Sequence, residues 1–248
     1  MSGNANPVNP NKPKKILMIA ANPAVSSQTG WNIGFWFSEI THPYWEFTEN
    51  GYEVEIRSPN GGKLVADGYS DPEDTSGYSA SDLISLGFKH SPAHKALLEN
   101  TKSIADVNIA DYDAVFVTGG QSPMYSMIDH TALHNLIAAF YQAGKITAAI
   151  CHGTCVLLKA KKSDGTLIVE GKTWTGFANS EEQFADNFVG QRIQPFWIED
   201  EAKKIPNTNF IVAQPFVAHA VRDGNLITGQ QQFSGTAAAK MLIEALGR

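Results

Sequence analysis

Cys151-His152-Gly153 is where residue type and spacing could do covalent chemistry in this chain. A thiolate is a strong nucleophile, and a neighbouring histidine, with an ordinary pKa of about 6.5, can take its proton and return it. The preceding residues, Ile146-Thr147-Ala148-Ala149-Ile150, are small or β-branched and apolar, and read as a strand buried on both faces. The following Val156-Leu157-Leu158-Lys159-Ala160-Lys161-Lys162 reads as a helix. A tight strand-to-helix turn with a nucleophile at its apex is a nucleophile elbow, with cysteine where G-x-S-x-G has serine. Such a turn exposes the sulfur and aims the next backbone N–H at a developing oxyanion. The helix N-terminus then favours the thiolate, which predicts a lowered thiol pKa. The competing reading is a buried packing cysteine, and residue type alone leaves both open. Cys155, a helical turn later, reads as small-residue packing.

The elements that must position this turn alternate. Lys15 to Ala21 reads as a first buried strand, followed by a polar loop from Asn22 to Gly30. Trp31 to Asn50 has a mostly helical apolar spacing, interrupted by Pro43. Tyr52 to Ser58 alternates as a second strand, and this βαβ opening predicts a doubly wound α/β domain with a mostly parallel, flavodoxin-like sheet. From about residue 60 to 105 the pattern is irregular, with turn residues at Asp71 to Gly77 and two short helices expected, so a small cap insertion is placed there. Asp113 to Thr118 is a third core strand, running into Gly119-Gly120-Gln121, and a helix over His130 to Ala143 leads to the elbow strand. Later elements are a strand pair over Gly165 to Gly176, strands at Phe210 to Val212 and Leu226 to Gly229, and a closing helix over Thr236 to Leu246.

With 248 residues, 43% hydrophobic and 18% charged, the chain suits one soluble domain over residues 15–248, after a disordered polar leader over 1–14. Lys12-Pro13-Lys14-Lys15 reads as a solvated flank. A net charge of −6 without a long basic run argues against nucleic acid and anionic membranes as partners. No apolar run approaches the ~20 residues that cross a bilayer, and the polar N-terminus lacks a signal core, so a cytoplasmic location is expected. Two cysteines four apart build no disulfide framework. The glycine pairs match neither a Walker loop nor a dinucleotide fingerprint, so no cofactor is expected. No metal is expected either. His130 and His134 have a zinc-compatible spacing but show no convincing ligand set.

Ala149-Ile150-Cys151-His152-Gly153 after a βαβ opening resembles the ThiJ/PfpI family of the class I glutamine-amidotransferase-like superfamily. Gly34 to Tyr44, Ser58 to Gly62, Val117 to Gly120, Thr175 to Glu182 and Asp223 to Gln230 are similar to its glyoxalase-III-like and heat-shock chaperone branch. The resemblance implies Cys151 as nucleophile, His152 as general base and acid, and Glu182 as the carboxylate that orients the histidine. Glu181 is the immediate rival, otherwise a solvated loop acid. Glu39 would contact the sulfur, where an isolated reading makes it a helix-surface carboxylate. Gly119, Gly120 and Gln121 would line the oxyanion and substrate site, with the N–H groups of Gly120 and His152 as the oxyanion hole.

The family pattern departs at two places. Gln121 stands where close relatives carry histidine, and Gln230-Gln231-Gln232-Phe233-Ser234 replaces an Asn-Pro turn, so a pocket wall and a pocket edge or subunit contact should differ. The implied function is a cofactor-independent conversion of a 2-oxoaldehyde such as methylglyoxal to a 2-hydroxy acid by a homodimer. The same residues also admit a cysteine hydrolase, or a stress-response chaperone or thiol redox sensor.

Overall fold

The computed structural model describes residues 5, 6 and 9–247. Its central sheet has seven strands: β1 (Lys15–Ile19), β2 (Glu53–Ser58), β3 (Lys102–Ser103), β4 (Ala114–Val117), β5 (Ile146–Ile150), β6 (Ala220–Asp223) and β7 (Leu226–Gly229), in the order β6-β7-β5-β4-β1-β2-β3. All neighbours are parallel except the β6–β7 hairpin at one edge. The expected doubly wound sheet is therefore present, with β4, β5 and β1 at its centre.

Strand alternation builds two cores. In β1, Leu17 and Ile19 join one cluster while Ile16 and Met18 join the other, and in β4 Val115 and Val117 oppose Ala114 and Phe116. Every residue of β4 and β5 is buried, which is why these strands carry apolar and small residues without interruption. Helices α1 (Phe37–Glu49) and α8 (Gly235–Leu246) cover one face. On the other lies α5 (Thr131–Gln142), with the short α4 (Pro123–Ser126) ahead of it. Helices α2 (Leu83–His90) and α3 (Pro92–Glu99) occupy the expected cap region, whose last residues form edge strand β3. Helices α6 (Asn179–Val189) and α7 (Ile198–Ala202) follow the elbow.

Several expectations are corrected. The early helix starts at Phe37, because Asn32–Ile33 pairs with Ala24–Val25 as a short ribbon. Pro43 does not interrupt that helix. Its ring instead packs where α8 begins, 3.1 Å from where a Cβ on Gly235 would stand. The segment after the elbow is a 3-10 helix over Cys151–Leu158, and Lys159 to Lys162 lie beyond it. No strand pair fills 165–176: Leu167 forms a single antiparallel bridge with Lys161, and Thr173–Trp174 pairs with Asn209–Phe210. Of the expected leader, residues 1–4, 7 and 8 lie outside the described residues, and Ala5–Asn6 pairs with Asn9–Pro13. Lys14 is not a solvated flank. It is buried, its ammonium donating to the carbonyls of Leu246 and Gly247, so the first strand is tied to the end of α8.

Candidate active site

At the C-terminal end of β5 the chain turns so sharply that Cys151 adopts a φ of 54°, a left-handed value a non-glycine residue rarely takes. Such strain concentrates where a fold over-determines one side chain. The 3-10 helix that follows is buried from Cys151 through Leu157, and Thr154 Oγ1 donates to the Cys151 carbonyl at 2.6 Å. The elbow is therefore clamped by packing on its helical side. Cys155 is fully buried in one of the two cores, its thiol against the Pro123 carbonyl at 3.5 Å, and reads as packing as expected.

Cys151 Sγ lies 3.6 Å from His152 Nδ1, and His152 Nε2 lies 3.0 Å from Glu182 Oε1. With Nε2–H donating to the carboxylate, Nδ1 is left as an acceptor facing the thiol. The ring stacks on Phe177 at 4.1 Å between centroids, which fixes its plane. Burial pushes the Glu182 carboxyl up from its ordinary range, opposed by the charge and hydrogen bond of His152.

Glu181 and Glu182 both sit in the first turn of α6, and both are buried. Glu181 is no solvated loop acid. Its Oε2 accepts from the Ala178 N–H at 3.0 Å, the return half of a capping box, and its Oε1 accepts from Phe216 N at 2.8 Å and Gln230 Nε2 at 2.9 Å. Glu181 thus ties three segments together, while Glu182 reaches the histidine.

Glu39, in the first turn of α1, is fully buried rather than on a helix surface. Its Oε2 accepts from Gly119 N at 2.7 Å, its Oε1 is buried without a hydrogen-bond partner, and the carboxyl faces the Cys151 thiol. Burial pushes its pKa up to about 8, against the pull of the Cys151 thiol and the Gly119 N–H, which favours the protonated form at neutral pH. Gly119 is required here: a Cβ would lie 2.6 Å from Glu39 Oε2 and 2.9 Å from Cys151 Cβ.

The backbone N–H groups of His152 and Gly120 both reach the sulfur, Gly120 through a φ of 96°. They pull the thiol pKa down, but burial, with the Glu39 charge and hydrogen bond, outweighs them and leaves it raised. The expectation of a lowered thiol is corrected. The helix N-terminus acts against complete desolvation, and in the resting site desolvation is larger.

A cavity of about 200 Å³ opens onto the sulfur, with Gly120, Gln121, Cys151, His152 and Glu182 in its lining. Gln121 presents a side-chain oxygen without a partner, and its N–H donates to Asp67 Oδ2 at 2.7 Å. Gln232, from the segment that departs from the family pattern, lines the cavity edge and donates to Tyr78 Oη at 3.2 Å.

A family model described as DJ-1/PfpI matches residues 34–245, the span that holds this entire constellation. The chain belongs to the DJ-1/PfpI family. It is 31% identical over 240 residues to the probable glutathione-independent glyoxalase hsp3103 of Schizosaccharomyces pombe, covering 88% of this chain and 92% of that one. To the glutathione-independent glyoxalase HSP31 of Saccharomyces cerevisiae it is 29% identical over 239 residues, 94% of this chain and 98% of the relative. Among solved structures, the Rapid Encystment Protein 24 KDa of Francisella tularensis superposes with a TM-score of 0.84 at 27% identity, over 95% of this chain and all of that one (100%).

Within this DJ-1/PfpI domain, sequence reasoning missed Asp67 and the aromatic lining. Asp67 is fully buried, accepts from Gly34 N at 2.8 Å as well as from Gln121 N, and burial pushes its pKa up to about 7. It stands in the irregular stretch before the turn residues, where nothing local marks it. Phe184 and Phe188, four apart on α6, did carry a helical signal, but their partners come from distant loops. His130 Nδ1 accepts from Leu133 N at 3.2 Å to cap α5, and His134 Nε2 pairs with the Met127 carbonyl at 2.9 Å, so both histidines have structural work in the helix.

Proposed function

We propose that this protein is a glutathione-independent glyoxalase that converts a 2-oxoaldehyde such as methylglyoxal to the 2-hydroxy acid. The observation that carries the reading is the continuous relay from Cys151 Sγ through His152 to Glu182, at the floor of a cavity. The names of the two yeast relatives support it.

In this reading His152 Nδ1 takes the thiol proton and Sγ adds to the aldehyde carbon, forming a hemithioacetal. The Gly120 and His152 N–H groups, already beside the sulfur, stabilise the developing alkoxide, which then takes the proton back from His152 to leave a neutral hemithioacetal and a neutral imidazole. His152 then moves the proton from the former aldehyde carbon to its neighbour through an enediol, while Glu182 holds the imidazolium. The product is a thioester, and water hydrolyses it to the 2-hydroxy acid and the free thiol. Atoms balance with one water consumed and no external redox partner. When Glu39 is protonated, the charge that holds the thiol up is gone and its O–H can donate to the sulfur as it leaves as thiolate. A homodimer belongs to the same reading.

The test is lactate formation from methylglyoxal without added glutathione. Wild type should produce lactate and Cys151→Ala none. Equal rates in the two proteins would overturn the proposal.

A further inference from the structure

The cavity over Cys151 is built for more than a methyl group. On one side Trp31, Tyr69, Tyr78 and Trp36 form a run of ring contacts, with centroids 6.3, 6.3 and 5.9 Å apart in sequence. On the other, Phe177 lies on the catalytic histidine and Phe184 packs edge-on against Phe216 at 5.1 Å. Phe188 meets Tyr69 of the first side at 6.4 Å. All eight rings line the cavity. Polar lining is confined to the reacting groups and to Gln121, Gln194 and Gln232.

Three of the rings stand open to solvent: Phe188 is 70% exposed, Phe184 57% and Tyr78 48%. Large apolar side chains around the mouth of a reactive cavity, on the path to its sulfur, are the arrangement that recognises an apolar ligand. Methylglyoxal offers them one methyl. An aromatic substituent would meet ring edges and faces along the wall while its two carbonyls sit over Cys151 and Gln121.

We infer that the cavity selects 2-oxoaldehydes carrying an aryl group over methylglyoxal, an inference that rests on the glyoxalase reading and specifies its substrate. The reaction is unchanged: phenylglyoxal and one water give mandelate, with the aldehyde hydrogen moved to the adjacent carbon. Specificity comes from apolar contact remote from the reacting atoms. It should therefore appear mainly in KM, because the same contacts act on bound substrate and transition state alike.

The experiment compares kcat/KM for phenylglyoxal and methylglyoxal in wild type, Phe188→Ala and Tyr69→Ala. Wild type should prefer phenylglyoxal at least ~10-fold, through KM. Each variant should bring that ratio to within ~3-fold of one, and Phe188, being exposed, can be truncated without disturbing the core. No preference in wild type, or variants that slow both substrates equally, would overturn the inference while leaving the glyoxalase reading in place. Should neither aldehyde turn over, that reading fails, and binding still decides the cavity's preference. In Cys151→Ala, mandelate should quench the emission of Trp31 and Trp36 at concentrations at least ~10-fold below lactate. Equal quenching by the two acids would contradict an aryl site.

Discussion

The two sides of the cavity are built by different means. The side that bears the chemistry hangs from the ends of β4 and β5, strands with no exposed residue, and its groups are held by the sheet: Gly119 and Gly120 by one strand end, Cys151 and His152 by the next. The facing wall comes from loops and from α6, and several of its side chains stand half in solvent. A rigid sheet end fixes atoms to the tolerance that bond-making needs, while an apolar wall can select by area and tolerates variation. Substitutions should therefore split into two classes: those on the sheet side change turnover or folding, and those on the wall change which substrate is preferred.

After loss of the nucleophile itself, the largest effect should come from the residue that connects the sides. Glu182→Gln removes the charge that holds His152 in its tautomer, and turnover should fall by roughly 10³–10⁴. Glu181→Gln should act instead on stability, since it weakens an acceptor shared by Ala178, Phe216 and Gln230. A larger loss of turnover in Glu181→Gln than in Glu182→Gln, measured with methylglyoxal, would reverse the assignment.

Next is the pH dependence set by Glu39. Its carboxyl has a folded pKa of about 8 against an ordinary 4.5, so between those values the folded state binds more protons than the unfolded state. Stability from this group is full below the lower value. It is lost as pH rises towards the upper one, at up to ~1.4 kcal/mol per pH unit, and is flat beyond. Asp67 slopes the same way, with its pKa at about 7, so the Glu39 part is the difference between wild type and Glu39→Gln in urea unfolding across that range. Parallel curves would show that Glu39 is ionised in the folded protein.

A smaller effect is expected at Gly119. An added methyl would meet Glu39 Oε2, Cys151 Cβ and the His152 N at 2.6, 2.9 and 3.0 Å, so Gly119→Ala should cost about 1–3 kcal/mol of stability and lose turnover with it. On the wall, Phe188→Ala should change stability by no more than ~0.5 kcal/mol in the same unfolding experiment. A fall comparable to that of Gly119→Ala would mean the wall is core rather than selective surface.

The same division explains what was legible in the sequence. Buried central strands must be apolar without a break, so β1, β4 and β5 and the elbow between β5 and its helix could be read from composition alone. The contacts of Glu182 and Glu39 followed only from resemblance to the family, because no local pattern says that a helix carboxylate points inward. The wall was missed for a physical reason: Trp31, Tyr69, Phe188 and Phe216 are far apart in the chain and meet only because loops cross over the sheet end. Edge strands β3 and β6 were missed because two to four half-exposed residues leave no periodic signal. The type of the elbow helix was missed as well. A run such as Val156-Leu157-Leu158 fits either helical form, and burial on all sides decided it.

The central claim is that the sheet end makes Cys151, and not its neighbour four residues on, the nucleophile for a 2-oxoaldehyde. The most direct measurement is the intact mass of Glu182→Gln protein mixed with methylglyoxal, followed by fragmentation of the peptide that holds both cysteines. With the histidine unable to complete the proton transfer, the account predicts accumulation of one substrate equivalent on Cys151. It predicts none on Cys155, and none in the Glu182→Gln/Cys151→Ala double variant. An adduct on Cys155, or an unmodified Cys151 in a protein that still turns substrate over, would contradict it.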